Sequence, residues 1–207
     1  MGIGSAMLGG NPADGRQALD FYPTPEDVTL ALLEVEAFDA LVYEPACGDG
    51  AIAKVLEERG HIVCGTDIEP RGYGSQADFF SLEGMEDGDL VSNPPFNLAE
   101  AFIRHAMTRL RPRKMALVLK SSFFHAKGRR PLFEEYPPAA IYPLTWRPDF
   151  LGKGAPVLEV AWFVWERGHK GATVYRPLSR PPGFTGNGRG RVCTAGAAPR
   201  ATLPLEI

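Results

Sequence analysis

The sequence predicts an α/β fold, an open and mostly parallel sheet with helices on both faces. Three observations predict it. Short apolar strands alternate with segments whose apolar residues recur at helical period. A glycine-containing turn joins one strand to a helix and a second strand within about 30 residues, which is a βαβ unit with a right-handed crossover. Finally, Glu44–Gly50, Asp67, Asp78 and Asn93–Phe96 all fall at predicted strand ends, where sheets of this kind bind ligands.

The elements follow in order. Residues 1–20 are Gly-rich and polar and read as a flexible arm. Thr24-Pro25-Glu26-Asp27 reads as a helix start, with Thr24 as N-cap, Pro25 at the first helical position and acidic residues in the first turn, at the positive end of the dipole. That helix runs to about Val35. Leu41-Val42-Tyr43 is a buried strand entering the turn Glu44-Pro45-Ala46-Cys47-Gly48-Asp49-Gly50, and a helix from Ala51 to about Arg59 follows. His61–Thr66 is the next strand, Gln76–Phe80 a weak third and Asp89–Ser92 a fourth. Asn97 is placed to cap an amphipathic helix, with Glu100 as its capping-box partner. Met115–Leu119 is a near-continuous apolar run, as a strand buried on both faces requires. Ala139–Tyr142 and Glu159–Trp165 close the sheet, giving one folded domain over residues 21–170. From residue 171 to 207 the chain is rich in Gly, Pro and Arg and reads as a loosely packed or disordered tail.

Composition narrows the function classes. The 207 residues are 44% hydrophobic and 23% charged, ordinary for a soluble domain. No apolar run reaches the roughly 18 residues of a membrane span, and the first residues lack a secretion signal, so a cytoplasmic protein without membrane contact is expected. Cys47, Cys64 and Cys193 show no metal or redox spacing, and neither do His61, His105, His125 and His169, so no metal is expected. The net charge of −3 conceals an asymmetry: residues 1–100 hold 19 acidic and 4 basic side chains, residues 101–207 hold 6 and 18. The basic half suits a polyanion.

Gly48-x-Gly50-x-x-Ala53, with Asp67 about 20 residues on, satisfies the loose pattern of a dinucleotide site. Its charges argue otherwise. A pyrophosphate needs bare N–H groups at the helix N-terminus, whereas Glu44 precedes this turn and Asp49 lies inside it. Carboxylates repel a dianion and hold a cation. S-adenosylmethionine carries a sulfonium, an ammonium and a ribose but no phosphate. Asp67 can accept from the ribose hydroxyls and Asp78 from the adenine amine, leaving Glu44 and Asp49 at the methionine end.

Asn93-Pro94-Pro95-Phe96 suits a planar amine. The lone pair of a nucleobase amine is delocalised into its ring. Two oxygen acceptors, the Asn93 side chain and the Pro94 carbonyl, can bind its hydrogens and aim the nitrogen. Tandem prolines hold the turn extended, and Phe96 offers a face for the base.

Together these residues resemble the class I S-adenosylmethionine-dependent methyltransferases, specifically the amino-group DNA adenine-N6 type, and most of all its compact phage or prophage forms. The resemblance covers about residues 20–167. It rests on Phe21-Tyr22-Pro23-Thr24-Pro25, the Glu44–Gly50 turn, Asp67, Asp78-Phe79 and Asn93–Phe96. It implies a Rossmann-like sheet of seven strands with the last antiparallel. It also implies a cofactor site of Tyr22, Thr24, Glu44, Pro45, Ala46, Cys47, Gly48, Asp49, Gly50, Asp67, Ile68, Asp78, Phe79 and Asn93. Asn93, Pro94, Pro95 and Phe96 are the expected catalytic motif, and Lys120 and Ser121 the expected lining of the base pocket. The resemblance makes DNA the preferred substrate. The chain leaves no room for the separate target-recognition domain of larger relatives, so any sequence specificity must come from loops and the 121–157 region, and RNA remains open.

The basic residues from Arg104 to Lys153 interleave with Phe123, Phe124, Trp146 and Phe150, a pattern suited to a phosphate backbone and an extruded base. Arg147 and Phe150 are singled out beside the base pocket. Rival readings are methylation of an RNA base or of a protein glutamine amide, a catalytically silent nucleic-acid-binding module of this fold, and an NAD oxidoreductase.

Overall fold

A computed structural model describes residues 21–85 and 88–184. The elements run α1 (Glu26–Leu33), β1 (Leu41–Glu44), α2 (Ala51–Glu58), β2 (Ile62–Asp67), β3 (Ser75–Gln76), β4 (Asp89–Ser92), α3 (Ala99–His105), β5 (Lys114–Lys120), α4 (Arg130–Glu135), β6 (Ala140–Pro143), β7 (Val160–Glu166) and β8 (Val174–Tyr175). They build one eight-stranded sheet in the order β3-β2-β1-β4-β5-β7-β6-β8. Strands β1 to β5 are mutually parallel, and β7 inserts antiparallel between β5 and β6.

The sheet separates two cores, as a strand period of two requires. Ala116 and Val118 of β5, with Trp162 and Val164 of β7, face Val28 and Leu32 of α1 and Ile52 and Leu56 of α2. Met115, Leu117 and Leu119, with Phe163 and Trp165, face Phe102 and Ile103 of α3 and Leu132 of α4. This two-faced burial explains why β5 and β7 read as unbroken apolar runs. Trp162 is fully buried, and its indole donates to the Val28 carbonyl at 2.9 Å, tying β7 to α1.

Four expectations are corrected. The N-cap of α1 is Pro25, and no side chain caps it; the Thr24 hydroxyl is instead committed to Asn93. The third strand is Ser75–Gln76, and Phe79–Ser81 form a 3₁₀ turn because Asp78 accepts from the Phe80 amide and bends the chain. Helix α3 begins after Leu98 with no side-chain cap, so Asn97 is not its N-cap; the Leu98 amide bonds the Pro95 carbonyl, and Glu100 pairs with Arg104. A π-helical turn, Ala106–Leu110, ends this segment at Arg111, whose φ is 55°.

The fourth correction concerns strand count and the C-terminal segment. An eighth strand exists because the outer edge of β6 needs partners for its backbone groups. Val174 and Arg176 donate to the carbonyls of Ala139 and Ile141, and Leu178 is buried. Arg180 Nε lies 2.7 Å from Asp27 Oδ2 on α1. Residues 174–180 are therefore tied to the sheet edge and to α1, although 171–177 stay exposed, whereas residues 1–20 and 185–207 lie outside the described residues. No helix among the described residues is long and apolar enough to cross a membrane.

Candidate functional site

The C-terminal ends of β1, β2 and β4 open into one cavity of about 590 Å³, within the ~300–1,000 Å³ common for small-molecule sites. Its wall includes Tyr22, Thr24, Glu44, Pro45, Ala46, Cys47, Asp49, Asp67, Ile68, Asp78, Phe79, Asn93 and Pro95. Five separate stretches of sequence thus converge at one place, because parallel strands deliver their following loops to the same edge.

The turn after β1 is held by backbone bonds. Cys47 N–H donates to the Thr66 carbonyl at 3.0 Å, Gly50 N–H to the Cys47 carbonyl at 2.8 Å, and Gly48 N–H to Asp67 Oδ2 at 2.8 Å. Gly48 has φ +55°, and a Cβ there would stand 2.2 Å from Phe21 Cε2. Glycine is required on both counts. Gly50, at φ +80°, is covered in the same way by the Tyr73 ring. Gly48 and Gly50 therefore shape the cavity floor without forming its wall.

Five carboxylates, Glu44, Asp49, Asp67, Glu69 and Asp78, line the cavity. Glu44 is 2% exposed, its Oε2 has no hydrogen-bond partner among the described residues, and the Ala53 amide near the start of α2 donates to its carboxylate. Burial, reinforced by the charges of Asp49, Asp67 and Glu57, raises its carboxyl well above the ordinary range, against the pull of the Ala53 bond. A buried, unpartnered oxygen of this kind is costly unless a ligand cation or donor completes it. Asp49 Oδ1 is likewise buried and without a partner among the described residues. Asp67 is fixed from both sides by the amides of Gly48 and Glu69. Asp78 Oδ1 accepts from Phe80 N–H at 3.0 Å. Beside it, Phe79 stacks on Phe102 with centroids 3.9 Å apart, while Phe80 is partly exposed. Among the described residues, no group of three or more His, Cys, Asp or Glu is arranged to hold a metal ion.

Asn93 follows β4 directly. Its Nδ2 donates to the Tyr22 carbonyl at 3.2 Å and to Thr24 Oγ1 at 3.0 Å. Both amide hydrogens are thus used, which fixes the side chain and leaves Oδ1 without a donor among the described residues. Pro94 and Phe96 do not belong to the cavity wall. Pro94 is buried, and Phe96 packs against the core beneath Lys120, whose Nζ lies 5.3 Å from the ring centroid. Ser121 follows Lys120, with its amide bonded to the Glu159 carbonyl.

Two substrate residues are placed differently from expectation. Phe150 is 6% exposed and part of the core with Trp162, because the 144–159 loop folds it inward; its face cannot meet a base. Arg147 is exposed but paired with Glu159, with Nη2 2.5 Å from Oε1. The basic half also divides. Arg109, Arg111, Arg113 and Lys114 precede or begin β5, at the end of the sheet opposite the cavity. Arg113 pairs with Asp89, and Lys114 with Glu36 and Glu166. Lys120, Lys127, Arg129, Arg130, Arg147 and Lys153 lie on the cavity side of β5 or on loops from that edge.

Sequence reasoning missed Arg71, Glu69, Phe80, Asn97, Leu98 and Phe102 as wall residues and Tyr73 as the cover of Gly50. Residues 69–74 have no periodicity or motif, so only the fold brings them to the site.

No family model and no curated protein matches the sequence. Solved structures do match the fold. A protein assigned as a modification subunit of a type I restriction enzyme from Vibrio vulnificus matches with a TM-score of 0.55 and 14% identity over 83% of this chain and 50% of its own. A protein from Listeria monocytogenes assigned to the class I S-adenosylmethionine-dependent methyltransferases matches with 0.55 and 15% over 75% of this chain and 65% of its own. A third, assigned as an RNA methyltransferase from Pyrococcus horikoshii, matches with 0.53 and 14% over 72% and 87%. The chain spans half the length of the first and about two thirds of the second. Strand order, the antiparallel β7 and these likenesses agree: the chain carries the Rossmann-like fold of the class I S-adenosylmethionine-dependent methyltransferases.

Proposed function

We propose that the protein is an S-adenosylmethionine-dependent methyltransferase acting on the exocyclic N6 amine of adenine in nucleic acid, with DNA preferred over RNA. The observation that carries this reading is Asn93, whose Nδ2 is spent on Tyr22 and Thr24 and whose Oδ1 is left to accept at the wall of the cavity.

The cavity suits the cofactor's chemistry. Glu44 Oε2, buried and without a partner, fits the ammonium. Asp67, locked by two amides, presents its remaining lone pairs to the ribose hydroxyls. Ile68 and Phe79 offer apolar surface to the adenine, and Asp78 an acceptor for its amine. Tyr22, Thr24, Pro45, Ala46, Cys47 and Asp49 enclose the methionine end. When bound, S-adenosylmethionine supplies an electrophilic methyl group on a sulfonium.

Asn93 Oδ1 and the Pro94 carbonyl then hold the two hydrogens of the target amine. This orientation turns the nitrogen lone pair out of the ring conjugation and toward the donor. With the donor bound, the new N–C bond would form as the methyl–sulfur bond breaks, its electron pair staying on sulfur, and the amine would lose one proton to solvent. Phe96, packed against the core beneath Lys120, anchors the turn that carries Asn93. Loops 121–129 and 144–159, rising from the same sheet edge, bring Lys120, Lys127 and Lys153, none of which pairs with a carboxylate among the described residues, and the exposed Phe124. A phosphate backbone over this edge explains why these cations remain unpaired.

Labelled S-adenosylmethionine offered separately to DNA, RNA and protein, with base-resolved mapping of the product, tests the reading. Modified adenine in DNA is expected. Asn93→Ala should lower transfer by at least ~100-fold, comparable to deleting one preorganised hydrogen-bonding group at a reacting centre, while cofactor affinity changes less than tenfold. Transfer confined to protein, or a fully active Asn93→Ala, refutes it.

A further inference from the structure

Arg71 sits on the loop between β2 and β3, where no sequence motif marks it. Its guanidinium carbon lies 4.3 Å from the centroid of the Phe21 ring. That ring in turn rests on the Gly48 backbone, so closely that only a glycine fits beneath it. Glycine turn, aromatic ring and guanidinium therefore form a stack at the cavity, and Phe21 and Arg71 both belong to its wall.

The charge of that wall makes the arginine unusual. Among the described residues lining the cavity, five are acidic and Arg71 is the only basic one. Despite Asp67 and Glu69 on the same loop, Arg71 forms no ion pair among the described residues; its contact is with the aromatic face. A weakly hydrated, planar cation stacks on such a ring and keeps its N–H fork free for a carboxylate. An amino-acid moiety brings one cation and one anion into this cavity. Glu44 answers the ammonium, but five carboxylates repel the anion unless a cation offsets them.

We infer that Arg71, braced on Phe21, binds the α-carboxylate of the methionine moiety and selects ligands that carry it. This rests on the methyl-donor reading above and deepens it by naming a residue that discriminates intact S-adenosyl amino acids from their carboxylate-free analogues.

Calorimetric binding of S-adenosylhomocysteine, decarboxylated S-adenosylmethionine and 5′-methylthioadenosine to the wild-type chain, Arg71→Gln and Arg71→Lys tests it without any turnover. Loss of one charge-assisted bond predicts S-adenosylhomocysteine binding about 10–100-fold weaker in Arg71→Gln. Arg71→Lys should recover part of it, and both carboxylate-free ligands should bind all three proteins alike. Equal losses for all ligands would make Arg71 a brace for the loop, and unchanged affinities would remove it from the site; either overturns the inference. If Arg71→Gln weakened only nucleic-acid binding, the guanidinium would serve a phosphate instead, and the inference would again fall. Wild-type protein that binds none of the three ligands refutes the methyl-donor reading itself.

Discussion

Replacing Glu44 by Gln should strengthen the ligand-free fold and weaken the ligand complex. Glu44 is 2% exposed, with Oε2 unpartnered and three further carboxylates acting on it. Its folded carboxyl is raised above the ordinary 4.5, first by burial and then by Asp49, Asp67 and Glu57. The folded state therefore keeps this proton to higher pH than the unfolded chain. The associated stability is complete below the unfolded value, is lost as pH climbs through the folded one, and leaves a net cost above it. Gln resembles the protonated acid, so the variant should unfold at higher temperature than wild type at pH 8 and at nearly the same temperature near pH 4. A ligand ammonium, by contrast, loses a charge-assisted bond worth about 1.5–3 kcal/mol, or about 10–150-fold in affinity. Thermal melts across pH, paired with calorimetric titration of S-adenosylhomocysteine, read both effects. Opposite signs are the signature, since mere misfolding weakens both. A variant that melts lower at pH 8 and binds as tightly as wild type would show that Glu44 faces no cation.

Three further outcomes are expected. Gly48→Ala strains a residue at φ +55°, costing about 1–2 kcal/mol in denaturant unfolding. It also displaces Phe21, so S-adenosylhomocysteine affinity should fall with it. Arg180→Ala leaves the buried Asp27 carboxylate without its 2.7 Å partner. Breaking a fully buried pair costs ~3–5 kcal/mol, and the partial exposure of Arg180 lowers this to about 2–3 kcal/mol in urea unfolding. A loss under 0.5 kcal/mol would mean that residues 176–184 do not staple α1. Burial first, then the charge of Glu44, pushes the Cys47 thiol up to about 12, whereas Cys64 is exposed. Iodoacetamide at pH 8 should therefore label Cys64 and spare Cys47 in peptide mapping, and rapid labelling of Cys47 would contradict its placement under the glycine turn.

Much of the fold was legible because local pattern and tertiary role coincide. Met115–Leu119 and Val160–Trp165 are apolar on both faces, and a run of that length has few places to go except the centre of a covered sheet. Glu44–Gly50 and Asn93–Phe96 were readable as site segments because glycines, prolines and carboxylates past strand ends restrict backbone and charge together. Thr24 was misread as a helix cap because its local competitor, the α1 N-terminus, is visible in sequence, whereas its actual partner is 69 residues away. Phe150 looked like a base-stacking residue beside arginines, yet aromatic residues are decided by burial, which a loop sequence does not display. Strand β8 is two residues long and has no periodicity to detect; only the unpaired edge of β6 calls it into place.

Sequence alone determined the order of strands and helices from α1 to β5, the glycine turn and the identity of the acidic and amide groups at the sheet edge, since these follow from local propensity and period. Tertiary structure decided which of those groups stay unsatisfied. The free Oε2 of Glu44, the free Oδ1 of Asn93 and the stacked guanidinium of Arg71 exist because partners distant in sequence occupy, or fail to occupy, their remaining bonds. Hydrogen bonding and desolvation are properties of neighbours in space, and the chain lists its neighbours only along its length.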